Sequence, residues 1–149
     1  MDIATTLRTS SLFSKFGDNG LALMTKVAEV KSFPAGTPIF VASMLGESLY
    51  VIQSGEIALE LRMGDRIVPL SLLRPGAHFG QLALLNPGPR LVGAVAHSAA
   101  TVIEIHRKSF LKLHQVKPQV SLKLMLAICE DLAQATRDIA PLLLRTLAV

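Results

Sequence analysis

FGQLALLNPGPRLVGAVA, residues 79–96, places a glycine before a short apolar turn, breaks at Asn86-Pro87-Gly88-Pro89, sets down one arginine and runs into an apolar strand. Gly80 opens the turn Gln81-Leu82-Ala83-Leu84-Leu85, whose first backbone N–H groups have no partner inside the turn. Those donors and the local dipole favour an anion. Arg90 follows the break and can fold back to the same place, with a planar guanidinium suited to a phosphate. An anion held by amides and one arginine is the sharper reading of these residues. The plainer one is a surface arginine after a loop.

Outward from this stretch, residues from about Lys31 to Ile105 read as short strands punctuated by glycine and proline. PAGTPIF is a turn followed by a strand. SLYVIQSGEIALELRMGDRIVPLSLL alternates through two or three strands, with turn signals at Ser54-Gly55 and Met63-Gly64-Asp65. LRPGAHFG is a further turn, and LVGAVA and TVIEIH are strands separated by His97-Ser98. No stretch between them is long enough for a crossover helix, so an antiparallel β-roll is expected. Leu91-Val92-Gly93 also reads as plain strand, with Leu91 turned to the core.

Helical patterns flank the strands. SLFSKFGDNGLALMTKVAEV, residues 11–30, reads as short helices broken at Gly17 to Gly20, with Leu21, Met24, Val27 and Ala28 on one stripe. After Lys108 come two helical pieces parted at Pro118. In the second, Met125, Ile128, Leu132, Ala135, Ile139 and Leu142 recur at heptad spacing, which predicts either a cover for the roll or a homodimer seam. Pro141 is expected to kink or end that helix. The basic run HRKSFLKLHQVK, residues 106–117, reads as a solvated helix face, with a phosphate patch as the alternative.

Composition narrows the function classes. The chain has 149 residues, half of them hydrophobic and 17% charged, which is enough for one packed core and argues against disorder. No apolar run approaches the length of a membrane span, and the N-terminus lacks a signal-peptide pattern, so a cytoplasmic protein is expected. A single cysteine, Cys129, excludes an internal disulfide and is expected to be a buried thiol. His78, His97, His106 and His114 show no metal-ligand spacing and no evident carboxylate partner. His78 is expected to face solvent. Neither catalysis, nor a metal, nor a cofactor is expected.

FGQLALLNPGPR resembles the phosphate-binding cassette of cyclic nucleotide-binding domains, usually F-G-E-L-A-L, a short loop, P-R, a small residue or two and a strand. The order of Gly36, Gly46, Ser48-Leu49-Tyr50-Val51-Ile52, Gly55-Glu56, Pro75-Gly76 and Phe79-Gly80 is similar to that family's roll. With the flanking helices, the resemblance covers nearly the whole chain. It implies an α+β fold in one domain, 1–149. Within it, N-terminal helices (1–30) and C-terminal helices (107–149) flank an antiparallel, jelly-roll-like β-roll (31–106) carrying the cassette at 79–92.

The resemblance also implies roles. Amides around Gly80, Gln81, Leu82, Ala83, Leu91 and Val92 would surround a cyclic phosphate, and Arg90 would pair with its charge. Residue 81 would accept from the ribose 2′-hydroxyl, and the helix after Pro118 would close over the base. Two positions depart from the pattern. Gln81 replaces the usual glutamate, at a cost of about 1 kcal/mol, or roughly five- to tenfold in affinity. Leu91 replaces a serine, threonine or alanine. Its lack of a hydroxyl tilts the expected ligand slightly toward cyclic AMP over cyclic GMP.

The function implied is a cyclic-nucleotide-responsive regulatory module that relays its state to a protein partner. The alternative is a degenerate pseudo-sensor, its pocket closed by Leu91, serving as an interaction or dimerisation scaffold. Because the sequence ends soon after the last helix, no DNA-binding module is expected.

Overall fold

The computed structural model describes residues 1–148. Helix α1 (Ile3–Thr9), a 3-10 turn (Ser11–Phe13) and helix α2 (Asp18–Thr25) precede the strands. β1 (Ala28–Phe33), β2 (Pro38–Phe40), β3 (Leu45–Gly46), β4 (Ser48–Ser54), β5 (Ile57–Met63), β6 (Arg66–Leu73) and β7 (His78–Phe79) come next. Helix α3 (Gln81–Leu85) interrupts the run before β8 (Gly88–Pro89), β9 (Gly93–Ala96) and β10 (Ala100–His106). Helices α4 (Arg107–Val116) and α5 (Pro118–Leu147) complete the described chain.

The strands form an antiparallel roll of two four-stranded sheets, β1-β10-β4-β7 and β2-β9-β5-β6, with a small β3-β8 ladder at one end. The expected turns at Ser54-Gly55 and Met63-Gly64-Asp65 connect β4 to β5 and β5 to β6. β4 explains the architecture. Ser48 to Ile52 are buried throughout, so the strand is apolar on both faces rather than alternating with polar residues. Leu49 and Val51 point to one cluster, with Ile103, Ile105, Phe13, Met24, Phe110, Leu124 and Ile128 from the strands and helices. Tyr50 and Ile52 point to the other, inside the roll, with Phe40, Ile57, Phe79 and Val102. The period of two in β4 and β10 assigns each residue to one core or the other.

The structure differs from the sequence expectations at several points. Helix α1 precedes the stretch read as helical; Asp2 caps it, its carboxylate accepting from the Thr5 amide at 2.7 Å. That bond holds the Asp2 carboxyl below its ordinary range. Ala28 belongs to β1 rather than to the preceding helix, because its backbone pairs with Ile105. Leu91 and Val92 lie outside any strand, and Leu91 is 75% exposed instead of turned inward. Cys129 is exposed, not buried.

Pro141 lies within α5, which continues past it to Leu147. Residues 133–148 are all exposed, so the carbonyl that proline leaves unpaired stays open to water. The expected dimer seam is also split. Ile128 is fully buried in the core of its own chain, and Met125 and Leu132 pack against that core. Ala135, Ile139 and Leu142 are in solvent. Only the first half of the heptad pattern covers the roll.

Candidate functional site

Gly80 makes the turn into α3 in the left-handed region, at φ 76°, where glycine carries no side-chain penalty. A Cβ there would lie 2.8 Å from both an Arg90 terminal nitrogen and the Ser48 carbonyl. Gly46, in β3, has its own reason: a Cβ would overlap the Arg90 guanidinium. Both glycines clear space for one side chain. Backbone bonds then fix the arginine's own position, with Arg90 N–H donating to Met44 O and Ser43 N–H donating to Arg90 O, each at 2.8 Å.

Arg90 is 9% exposed. Its two terminal nitrogens donate to Gly80 O and Ser48 O, each at 3.0 Å. Its guanidinium carbon sits 4.1 Å from the centre of the Phe40 ring, within the range of a cation–π contact. Among the described residues no carboxylate lies within ion-pair distance of it, and its Nε is buried without a partner. Burial pulls Arg90 below its ordinary range, against the opposing pull of Tyr50 and Glu104. Tyr50, stacked on Phe79 at 5.0 Å, is pushed up by burial and then by Glu104.

Arg90 forms part of the wall of a cavity of about 310 Å³, the size range of small-ligand sites. All seven residues expected at the site line it, joined by Phe40, Leu59, Leu73 and His78. Leu82 and Leu91 are substantially exposed on it, so Leu91 does not fill it. Among the described residues, none after Pro118 lines the cavity. Helix α5 therefore stands beside the site instead of closing over it.

Contacts that sequence reasoning missed tie the cassette and the adjoining His78 to the C-terminal helices. Gln81 Nε2 donates to Asp131 Oδ2 of α5 at 2.9 Å, and His78 Nε2 lies 3.2 Å from the same oxygen. His78 is thus a bridging residue with a side chain only 12% exposed, not a solvent-facing one. Arg107, in the run read as a solvated basic face, donates to the carbonyls of Leu84 and Leu85. That satisfies the free C-terminal end of α3. These partners are 22 to 53 residues apart in sequence, and no local pattern signals them. A second histidine, His106, also has a carboxylate neighbour, Glu47 at 3.2 Å. No group of three metal-ligating side chains occurs among the described residues, and no helix among them is long and apolar enough to cross a membrane.

The model of the cyclic nucleotide-binding domain matches residues 30–117. The Cyclic AMP receptor protein of Thermus thermophilus is 29% identical over 134 residues, which are 89% of this chain and 62% of that protein. The CRP-like cAMP-activated global transcriptional regulator of Mycobacterium tuberculosis is 25% identical over 138 residues, 92% of this chain and 62% of its own length. The N-terminal domain of a transcriptional regulator from Streptomyces coelicolor superposes with a TM-score of 0.81 at 24% identity, covering 90% of this chain and 94% of that one.

The chain thus spans less than two thirds of the curated relatives it matches first. The second of these relatives is a transcriptional regulator by name, which overturns the expectation that a DNA-binding module is excluded. The end of this sequence at Val149 is no evidence against such a module. The matched family is a regulatory, ligand-binding one rather than a catalytic one. With the family model covering more than half of the sequence, the chain belongs to the cyclic nucleotide-binding domain family, on a β-roll flanked by helices.

Proposed function

We propose that the chain binds cyclic AMP in the cassette cavity and transmits occupancy through α3 to α4 and α5. The observation that carries this reading is Arg90, a nearly buried cation beside a cavity of about 310 Å³, with an unpaired Nε and no carboxylate partner among the described residues. An isolated buried charge is costly. A cyclic phosphate supplies the missing anion, and the amides of Gln81 and Leu82 at the start of α3 add donors, while the Ala83 amide already donates to Gly80 O at 3.2 Å. Leu91 brings no hydroxyl and lies open at the wall, which supports an accessible pocket and the adenine ligand over the guanine one.

Transmission follows from the two ties already described. Ligand held at the start of α3 loads the Gln81–Asp131 bond, and movement of α3 reaches α4 through Arg107. The exposed second half of α5 is where a protein partner can read the change. A ligand shifts such an equilibrium only by its differential affinity for the two states.

Thermal unfolding of nucleotide-stripped protein tests the proposal. At a hundred times Kd, cyclic AMP is expected to stabilise by about 2.7 kcal/mol, a rise in Tm of roughly 5–10 °C, with a smaller rise for cyclic GMP. Hydrogen exchange in α5 should change on binding. Equal stability with and without either nucleotide would rule the reading out.

A further inference from the structure

Asp131 lines no part of the cavity, yet it governs what one wall of the cavity presents. Its Oδ2 accepts from Gln81 Nε2 at 2.9 Å and faces His78 Nε2 at 3.2 Å. On the far side of the ring, His78 Nδ1 lies 3.3 Å from Ser10 Oγ, and that hydroxyl oxygen accepts from the Leu12 amide at 3.4 Å. One proton arrangement satisfies the whole chain. The Ser10 hydroxyl donates to Nδ1, Nε2–H donates to Asp131, and the Gln81 amide nitrogen donates to the same carboxylate oxygen. Turning the Gln81 amide over would set its oxygen against that carboxylate, two acceptors with no proton between them. The carboxylate therefore selects one orientation.

Gln81 lines the cavity, and with one Nε2 proton committed to Asp131 its Oε1 is held as an acceptor for a ligand, leaving one N–H as the only remaining donor. We infer that Asp131 is a positioning residue for recognition: by holding Gln81 as an acceptor, it makes the site select a ligand hydroxyl, such as a ribose O–H, over a ligand acceptor. The inference rests on the nucleotide reading above. It also gives that reading a mechanism for coupling. Asp131 belongs to α5, so displacement of α5 releases the amide and removes the preference.

Cyclic AMP and 2′-deoxy cyclic AMP, titrated into the natural chain, D131A and D131N, separate this role from a structural one. Asp131 is partly exposed, with 36% of its side chain accessible, and alanine suits a helix, so both variants are expected to fold. The natural chain should prefer the ribose ligand by about fivefold, the value of one neutral hydrogen bond. D131A should reduce that preference below about twofold while leaving affinity for the deoxy ligand in place. D131N, whose amide oxygen can accept from the same two donors, should keep most of it. In the ligand-free protein, one Gln81 side-chain amide proton should be shifted and slow to exchange in the natural chain and D131N, but not in D131A. Equal weakening of both ligands by D131A, or amide signals indifferent to it, would overturn the role of Asp131 alone. A natural chain that binds neither nucleotide would overturn the nucleotide reading and this inference together.

Discussion

At one end of the cassette Arg90 is 9% exposed and directs its hydrogen bonds inward, to Gly80 O and Ser48 O. At the other end Gln81 reaches outward, to a carboxylate on a helix that does not line the cavity. The arginine is held by two backbone carbonyls and an aromatic face, in space that two glycines leave clear. The glutamine is held by a single side chain on a helix whose second half is wholly exposed. Under the proposed function, the first end would carry affinity and the second communication.

The largest effect should come from removing the charge at the rigid end. R90E is expected to cost cyclic AMP binding about a hundredfold or more, the value of lost charge-assisted bonds plus repulsion, read by equilibrium binding. G46A sharpens the point without removing any polar group. Its Cβ overlaps the guanidinium, so the arginine must shift. We expect about a tenfold loss of affinity and about 1–3 kcal/mol of stability, measured by denaturant unfolding.

Effects at the communicating end should be smaller. Q81E restores the family's usual carboxylate but sets it against Asp131, and is expected to weaken binding by about three- to fivefold. The Q81E/D131N double variant should bind more tightly than Q81E alone. A Q81E protein that binds better than the natural chain would show that the Gln81–Asp131 bond does not govern the site.

The smallest effect concerns Tyr50, raised above its ordinary value of 10.0 by burial and by Glu104. A group raised in the folded state contributes stability that is complete below its unfolded pKa and is lost as pH climbs through its folded value. Stability should therefore fall above about pH 10, and less steeply in Y50F, when unfolding is followed against pH.

The roll and the cassette were legible because their signals are local. Gly80 before an apolar turn, Arg90 after a proline break and the strand at Ser48-Leu49-Tyr50-Val51-Ile52 each carry their meaning within a few residues. Periodicity on α5 was legible too, but not its use. Met125, Ile128 and Leu132 repeat just as Ala135, Ile139 and Leu142 do, and only the position of the roll decides that the first three are covered and the rest are not. The direction of Arg90, the burial of His78 and the Gln81–Asp131 bond depend on contacts across 10 to 68 residues. Such contacts have no signature in a single sequence. Leu91 shows the same limit from the other side: its bulk suggested a blocked pocket, and its backbone position turns it to solvent.

Isothermal titration calorimetry on nucleotide-stripped protein, with cyclic AMP and cyclic GMP in separate runs beside R90E, tests the central claim most directly. The account predicts one saturable site per chain for cyclic AMP at micromolar Kd or tighter, weaker binding of cyclic GMP, and cyclic AMP binding about a hundredfold or more weaker in R90E. The absence of heat with both nucleotides in the natural chain, together with an unchanged melting temperature, would contradict it.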